Sequence, residues 1–137
     1  MTDLVVDRIV YSWGKISIDL EFESRITILN GDSAIGKSLI WQAIQNWDGM
    51  NYGVDRKVSC YNTYTELGEF IPGRLIVIDN IELLIDKDVA NRILKTNECQ
   101  FLLIGKNRFF NSLSSESFKT IKTKDNKLIF VKSEDLA

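Results

Sequence analysis

The run Ile26-Thr27-Ile28-Leu29 leads into Asn30-Gly31-Asp32-Ser33-Ala34-Ile35-Gly36-Lys37-Ser38. Few local patterns constrain a chain so tightly. The apolar run predicts a buried strand. After Ser38, the residues Ile40, Ala43, Ile44 and Trp47 recur at helical spacing and predict a helix with one core-facing stripe. Between strand and helix lies G-x-x-x-x-G-K-S, from Gly31 to Ser38. Gly31 and Gly36 let the backbone turn tightly and bring N–H groups close to an anion. The backbone of Asp32, Ser33, Ala34 and Ile35, with the positive end of the following helix, then forms a concave seat for phosphates. Lys37 adds a full charge for the β- and γ-phosphates, and Ser38 offers a hydroxyl to Mg²⁺. The setting, strand before and helix after, is the one a Walker A loop requires.

A second stretch fits the first. Leu75-Ile76-Val77-Ile78 is a continuous apolar run ending in Asp79. Such a run suits a central parallel strand buried on both faces. An acid at its carboxyl end stands where ligands bind in open α/β sheets. Asp79 is therefore the expected second magnesium residue, in the manner of a Walker B motif. Asn80 follows it, and Glu82 lies close by. An amide holds water but cannot take its proton, so Glu82 is the nearest candidate general base.

The chain of 137 residues predicts one domain over 1–137. At 45% apolar it can build a core. Its net charge of −2 and lack of a strongly basic block argue against a dedicated nucleic-acid or membrane-surface binder, leaving room only for a local patch. No apolar run approaches the ~20 residues of a membrane helix, and Met1-Thr2-Asp3 carries no basic leader. The expected location is cytoplasmic. Cys60 and Cys99 are isolated and lie beside apolar runs, which fits buried free thiols. There is no histidine and no C-x-x-C pair, so no transition-metal site is expected.

Taken in order, Leu4 to Val10 predicts a strand. Lys15 to Glu23 alternates apolar and polar residues after a turn at Gly14, giving an N-terminal antiparallel hairpin. Tyr11 lies 26 positions before Lys37 and offers a flat face on which an adenine ring can stack; capping the sheet edge is the alternative. Asp48-Gly49 and Asn51-Tyr52-Gly53 are expected to break the first helix. Val58 to Tyr61 reads as a short strand. Asn62 to Phe70 is ambiguous, with a short helix as one reading, and Pro72-Gly73 is a turn. Asp86 caps a helix running to about Thr96. Gln100 to Gly105 is a further buried strand, followed by Lys106 and Asn107 as possible γ-phosphate sensors or an ordinary turn, then by a helical turn at Arg108 to Leu113. Phe118 to Thr123 and Leu128 to Val131 flank Asp125-Asn126 as a closing hairpin. Ser133 to Ala137 are expected to be loose.

This order of parts resembles the nucleotide-binding core of the ABC ATPases and their SMC/RecF relatives. Ser38 to Ile44, S-L-I-W-Q-A-I, is similar to the way the first helix opens in that group. The resemblance implies a P-loop NTPase fold of the α/β class, with a mixed central sheet flanked by helices. It implies ATP and Mg²⁺ as cofactors, Gly31, Gly36, Lys37 and Ser38 as the phosphate loop, and Asp79 as the magnesium residue. The sequence departs from the family in several places. Only a short segment separates the first helix from Arg74, where the family carries a helical subdomain with an L-S-G-G-Q-like signature. No Q-loop glutamine and no histidine are present, and Asn80 stands where a glutamate would polarise water. Hydrolysis in this class depends on water positioning and added positive charge. The expected function is ATP binding with weak or partner-dependent turnover, Lys37, Asn80 and Glu82 being the candidate catalytic residues. A protein partner or a homo-oligomer is expected. The alternatives are a non-hydrolysing nucleotide-dependent adaptor, an empty scaffold used for protein contacts, and a truncated AAA+ ATPase, since Val77-Ile78-Asp79-Asn80-Ile81 is similar to the Walker B of that group. GTPases lack support because no D-x-x-G or N-K-x-D follows the loop. Small-molecule kinases lack it because the arginines are scattered.

Overall fold

The three apolar runs become neighbouring strands in the interior of one mixed eight-stranded sheet. In a computed structural model of the chain, residues 4–29, 34–63 and 67–132 are described, with the backbone alone over 34–38. The strands are β1 (Arg8–Trp13), β2 (Ile16–Glu21), β3 (Ile26–Leu29), β4 (Val58–Tyr61), β5 (Leu75–Ile78), β6 (Gln100–Ile104), β7 (Phe118–Lys124) and β8 (Lys127–Lys132). The helices are α1 (Ala34–Tyr52), α2 (Ile81–Leu84) and α3 (Lys87–Lys95), with a 3₁₀ turn at Ser115–Ser117. Across the sheet the order is β1-β2-β8-β7-β3-β6-β5-β4. β7, β3, β6, β5 and β4 are mutually parallel; β1–β2 and β7–β8 are antiparallel hairpins. The two hairpins meet through a parallel pairing, Ile18 opposite Leu128 and Asp19 opposite Ile129.

The alternation of side chains divides the core in two. On one face Leu29, Leu75, Val77, Leu102 and Ile104 pack with Ile40, Ala43 and Ile44 of α1 and with Ile9, Ile18 and Leu20 of the first hairpin. On the other, Ile26, Ile28, Ile76, Ile78, Phe101 and Leu103 pack with Ile81, Ile85, Ala90, Ile93 and Phe110. Every residue of β3, β5 and β6 is buried. That is the physical reason their sequences read as unbroken apolar runs rather than alternating ones.

The ends of elements differ from expectation in ways with local causes. The first strand begins at Arg8 rather than Leu4 because the backbone of Val6 is engaged elsewhere. Its N–H donates to Gln100 Oε1 at 2.9 Å, and its carbonyl accepts from Gln100 Nε2 at 2.8 Å. Helix α1 runs through Asp48 and Gly49 and stops at Tyr52, with Gly53 in the left-handed region at φ 55°. Asp48 does not break the helix because its carboxylate faces inward, 1% exposed, and accepts the Lys57 N–H at 2.7 Å. Asp86 caps α3 as expected, accepting from the Val89 N–H at 2.8 Å. The segment after β6 forms no helix over Arg108 to Leu113; Asn107 Oδ1 accepts the Phe110 N–H at 2.9 Å and bends the chain instead. Residues 67–70 are not helical, and 64–66, like 133–137, lie outside the described residues. The closing hairpin turns through Asp125 and Asn126, both at positive φ (52° and 66°), as a two-residue hairpin turn demands.

The edge of the sheet where the parallel strands begin is sealed. Arg25, just before β3, donates to the carbonyls of Thr96 (2.6 Å), Leu94 (3.0 Å) and Ile93 (3.3 Å). It thereby supplies donors to the carbonyls at the end of α3, of which Ile93 also accepts the Thr96 N–H, at a position where a cation is favoured. Burial lowers the Arg25 pKa, but an arginine remains charged. Cys60 and Cys99 are free thiols. Burial, reinforced by Asp48, pushes the Cys60 thiol up to about 12, so at neutral pH it is a packing residue and not a nucleophile.

Replacing Gln100 with Leu would leave the Val6 N–H and carbonyl buried without partners, a cost of about 2 kcal/mol. Urea denaturation of Gln100→Leu should show a lowered midpoint by that amount with an unchanged slope; an unchanged midpoint would mean the amide pair is idle.

Candidate functional site

The register of the central strands decides what lies together. Leu29 pairs with Ile104, and Ile78 with Leu103. The carboxyl ends of β3, β6 and β5 are therefore level. Leu29, the last residue of β3, and Asp79, the first after β5, stand at one edge, two strand spacings or ~10 Å apart. The chain leaves β3 toward α1 on one face and leaves β5 and β6 toward the other. Neighbouring strands that lead away to opposite faces open a crevice at their carboxyl ends, the position where open α/β sheets bind ligands.

Asn30, Gly31, Asp32 and Ser33 lie outside the described residues. Ala34, Ile35, Gly36, Lys37 and Ser38 form the first turns of α1. The helix therefore starts inside the motif, at Ala34, where a loop is expected through to Ser38, and it runs for 19 residues. α1 is held there by its apolar stripe and by Trp41, whose indole donates to the Tyr61 carbonyl at the end of β4 (3.2 Å).

The residues after β5 fold back on themselves. The Asp79 N–H donates to the Tyr61 carbonyl at 2.9 Å, and Asp79 Oδ1 accepts the Asn80 N–H at 2.9 Å. Asn80 adopts φ 55°, ψ 50°, and its carbonyl accepts from Leu83 and Leu84 to start α2. That conformation is one asparagine tolerates and most residues do not. A glutamate at this position would be strained, so the turn supplies a backbone reason for the amide. Glu82 reaches across to the end of β6, where its Oε2 accepts the Lys106 N–H at 2.7 Å. One of the two oxygens of the candidate base is thus committed to the backbone. The approach is close because Gly105 has no side chain. It sits at φ 135°, and a Cβ there would run into the Glu82 carboxylate and come within 3.1 Å of the Ile81 nitrogen.

Asn107 spends both ends of its amide within its own loop, accepting from Phe110 and donating to Asn111 Oδ1 at 2.9 Å. Tyr11 lies on β1 opposite Ile18, half-buried and packed on the core beneath the first hairpin. The structure thus brings Asp79, Asn80, Glu82, Gly105 and Lys106 together at the edge where α1 begins, and leaves Tyr11 in the hairpin layer. Gly105 and the Lys106 amide were not singled out as partners of Glu82 from sequence. The one signal was a glycine directly after an apolar strand, which on its own reads as a turn.

Gly105→Ala should destabilise the chain by about 2 kcal/mol or more, from the strained φ and the loss of room for Glu82. In a Glu82→Ala background the same change should cost less, with a coupling of about 1 kcal/mol in a double-mutant cycle followed by urea melts. Additivity would show that the two ends do not touch.

Among the described residues no helix is long and apolar enough to cross a membrane. No family model, no curated protein and no solved structure matches the chain.

Proposed function

We propose that this chain is a P-loop domain that binds ATP with Mg²⁺ and turns it over weakly or only with a partner. The observation that carries the reading is a juxtaposition. The sequence G-x-x-x-x-G-K-S joins a strand buried on both faces to a long helix, and the acid ending the second such strand stands at the same sheet edge. In this reading the amides from Gly31 to Gly36 and the helix N-terminus hold the phosphates, and Lys37 neutralises them. Ser38 and Asp79 supply hard oxygen donors, the kind Mg²⁺ takes alongside water and phosphate. The strand arrangement is of the mixed α/β kind that the ABC and SMC/RecF resemblance implies.

The non-hydrolysing adaptor is the second reading, and a specific observation favours it over a fast enzyme. Asn80 is turned into the left-handed region and Glu82 is tied to the Lys106 amide. Neither is arranged as an unencumbered base for the attacking water, so the intrinsic turnover expected is low.

The test combines thermal melting with a steady-state phosphate-release assay. At a Mg·ATP concentration of about 100 times Kd, binding should stabilise the chain by ~2.7 kcal/mol, and Lys37→Ala should abolish the shift. Turnover that disappears in Lys37→Ala makes the chain an ATPase; a melting shift without turnover makes it an adaptor. No shift with any nucleoside triphosphate would overturn both and leave the empty scaffold.

A further inference from the structure

The two hairpins overhang the crevice. β7 begins where β3 ends, with Ile28 opposite Phe118 and Leu29 opposite Lys119. From Lys119 to Lys124 it therefore projects past Leu29 by about 17 Å at strand rise. β8 returns antiparallel to it, and β2 runs alongside β8 with its start, Ile16, at the same end as Lys127. The turn after β1 and the turn after β7 thus stand side by side beyond the sheet edge, and a cleft lined by Lys15, Leu39, Asn126 and Lys127 separates them from α1.

These tips carry charge that the rest of the chain does not. From Phe118 to Lys132 there are five lysines and one acid, Asp125, so the second hairpin carries +4 while the remainder carries −6. Lys122 stands opposite Ile129 and Lys124 opposite Lys127, so Lys122, Lys124 and Lys127 share one face. It is the face turned away from the core, since Ile121, Leu128 and Phe130 of the other face pack inward. All three lysines are exposed, as is Lys15 in the neighbouring turn, and none of the four is in an ion pair among the described residues. The acids that follow along the same face, Asp19 and Glu21, are engaged by Arg8, which grips Asp19 with two bonds of 2.7 and 2.8 Å and meets Glu21 at 4.0 Å. The screening length at physiological ionic strength is about 8 Å, so a surface met at the tips is shielded from most of the acidic body behind them. The tip of the first hairpin adds a ring. Trp13 is 41% exposed although it shares the core-facing side with Ile16, its partner across the strands. Indole is apolar over most of its area with one polar N–H, and such rings settle at the boundary between lipid and water.

We infer that the paired hairpin tips dock end-on against an anionic lipid bilayer, with Lys15, Lys122, Lys124 and Lys127 at the headgroups and Trp13 at the interface. Two observations set this apart from a nucleic-acid contact. The ring and the three lysines of the second hairpin lie on opposite faces and meet only at the tip, whereas a groove for a nucleic-acid strand needs them side by side, so that bases stack while the backbone is neutralised. Neither tip carries an arginine, the side chain suited to forked contacts with a discrete phosphate; lysines act as point charges, which is what a diffuse surface requires. None of these residues belongs to the proposed nucleotide site, so the docking stands whether or not ATP binds.

Flotation of the full chain with lipid vesicles is the test. A lysine near an anionic surface strengthens binding about fivefold, and four lysines offset by Asp125 leave three charges. Vesicles of phosphatidylcholine with phosphatidylserine should therefore retain the chain about a hundredfold better than phosphatidylcholine alone, and added salt should erase the difference. Lys122→Ala/Lys124→Ala/Lys127→Ala should lose about a hundredfold on the anionic vesicles. Lys122→Arg/Lys124→Arg/Lys127→Arg, which keeps the charge, should bind as the wild type does, separating lost charge from lost fold. Brominated lipids should quench part of the tryptophan fluorescence in the wild type and none in Trp13→Phe, because Trp41 and Trp47 pack on the core. Equal retention on the two kinds of vesicle, or an alanine variant that binds as well as the wild type, would overturn the inference. So would lysine-dependent binding of a labelled oligonucleotide without retention on either vesicle, which would assign the tips to nucleic acid instead.

Discussion

The structure depends on three adjacent strands, β3, β6 and β5, being covered on both faces. No backbone N–H or carbonyl in them has access to water, so each must be satisfied by a neighbouring strand. The ladder that results is continuous from Ile26–Leu29 through Phe101–Ile104 to Leu75–Ile78. A parallel ladder with one-to-one register has level ends. Residues far apart in sequence, Leu29, Asp79 and Gly105, are brought to one edge because a slip of the strands before them would unmatch the side chains packed on both faces and leave buried ladder groups at the strand ends without partners.

The two edges of this core are built differently. Where the strands begin, the arginine at position 25 ties the end of α3 to the sheet, and the Gln100 amide substitutes for a strand partner of Val6. These contacts satisfy groups that would otherwise be buried without partners. Where the strands end, the backbone takes conformations that are uncommon in ordinary turns: Asn80 is left-handed, and Gly105 lies at a φ that L side chains rarely adopt. Both conformations lie at the carboxyl edge of the parallel strands, the side on which open α/β sheets bind ligands. The hairpins add a wall. Their tips project beyond the core, where they contribute lysines to a cleft.

Much of this could be read in advance. The β-strands from Ile26, Val58, Leu75 and Gln100, the helix capped by Asp86 and both hairpins follow from periodicity, capping and turn chemistry, because those signals are local. The failures are local as well, with distant causes. Asp48-Gly49 looks like a helix stop, yet the Lys57 amide gives the buried carboxylate a partner and the helix continues. A strand is expected over Leu4 to Val10, but Gln100 at the start of β6 engages Val6 and β1 begins only at Arg8. Glu82 is a plausible base on proximity to Asp79 in sequence; folding places its oxygen on the Lys106 amide across a side-chain-free glycine.

The amino-acid sequence alone determined most of the elements and the chemistry available to them: a glycine-rich motif with its lysine and serine, an acid after a buried strand, and the two turns that close the hairpins. Each of those depends on residues within a few positions of one another. Only the tertiary structure decided that β6 lies between β3 and β5, that β2 runs parallel to β8, and that the two hairpin tips face α1 across a cleft. Strand order and register depend on which buried faces match over separations of tens of residues, and no local pattern carries that information.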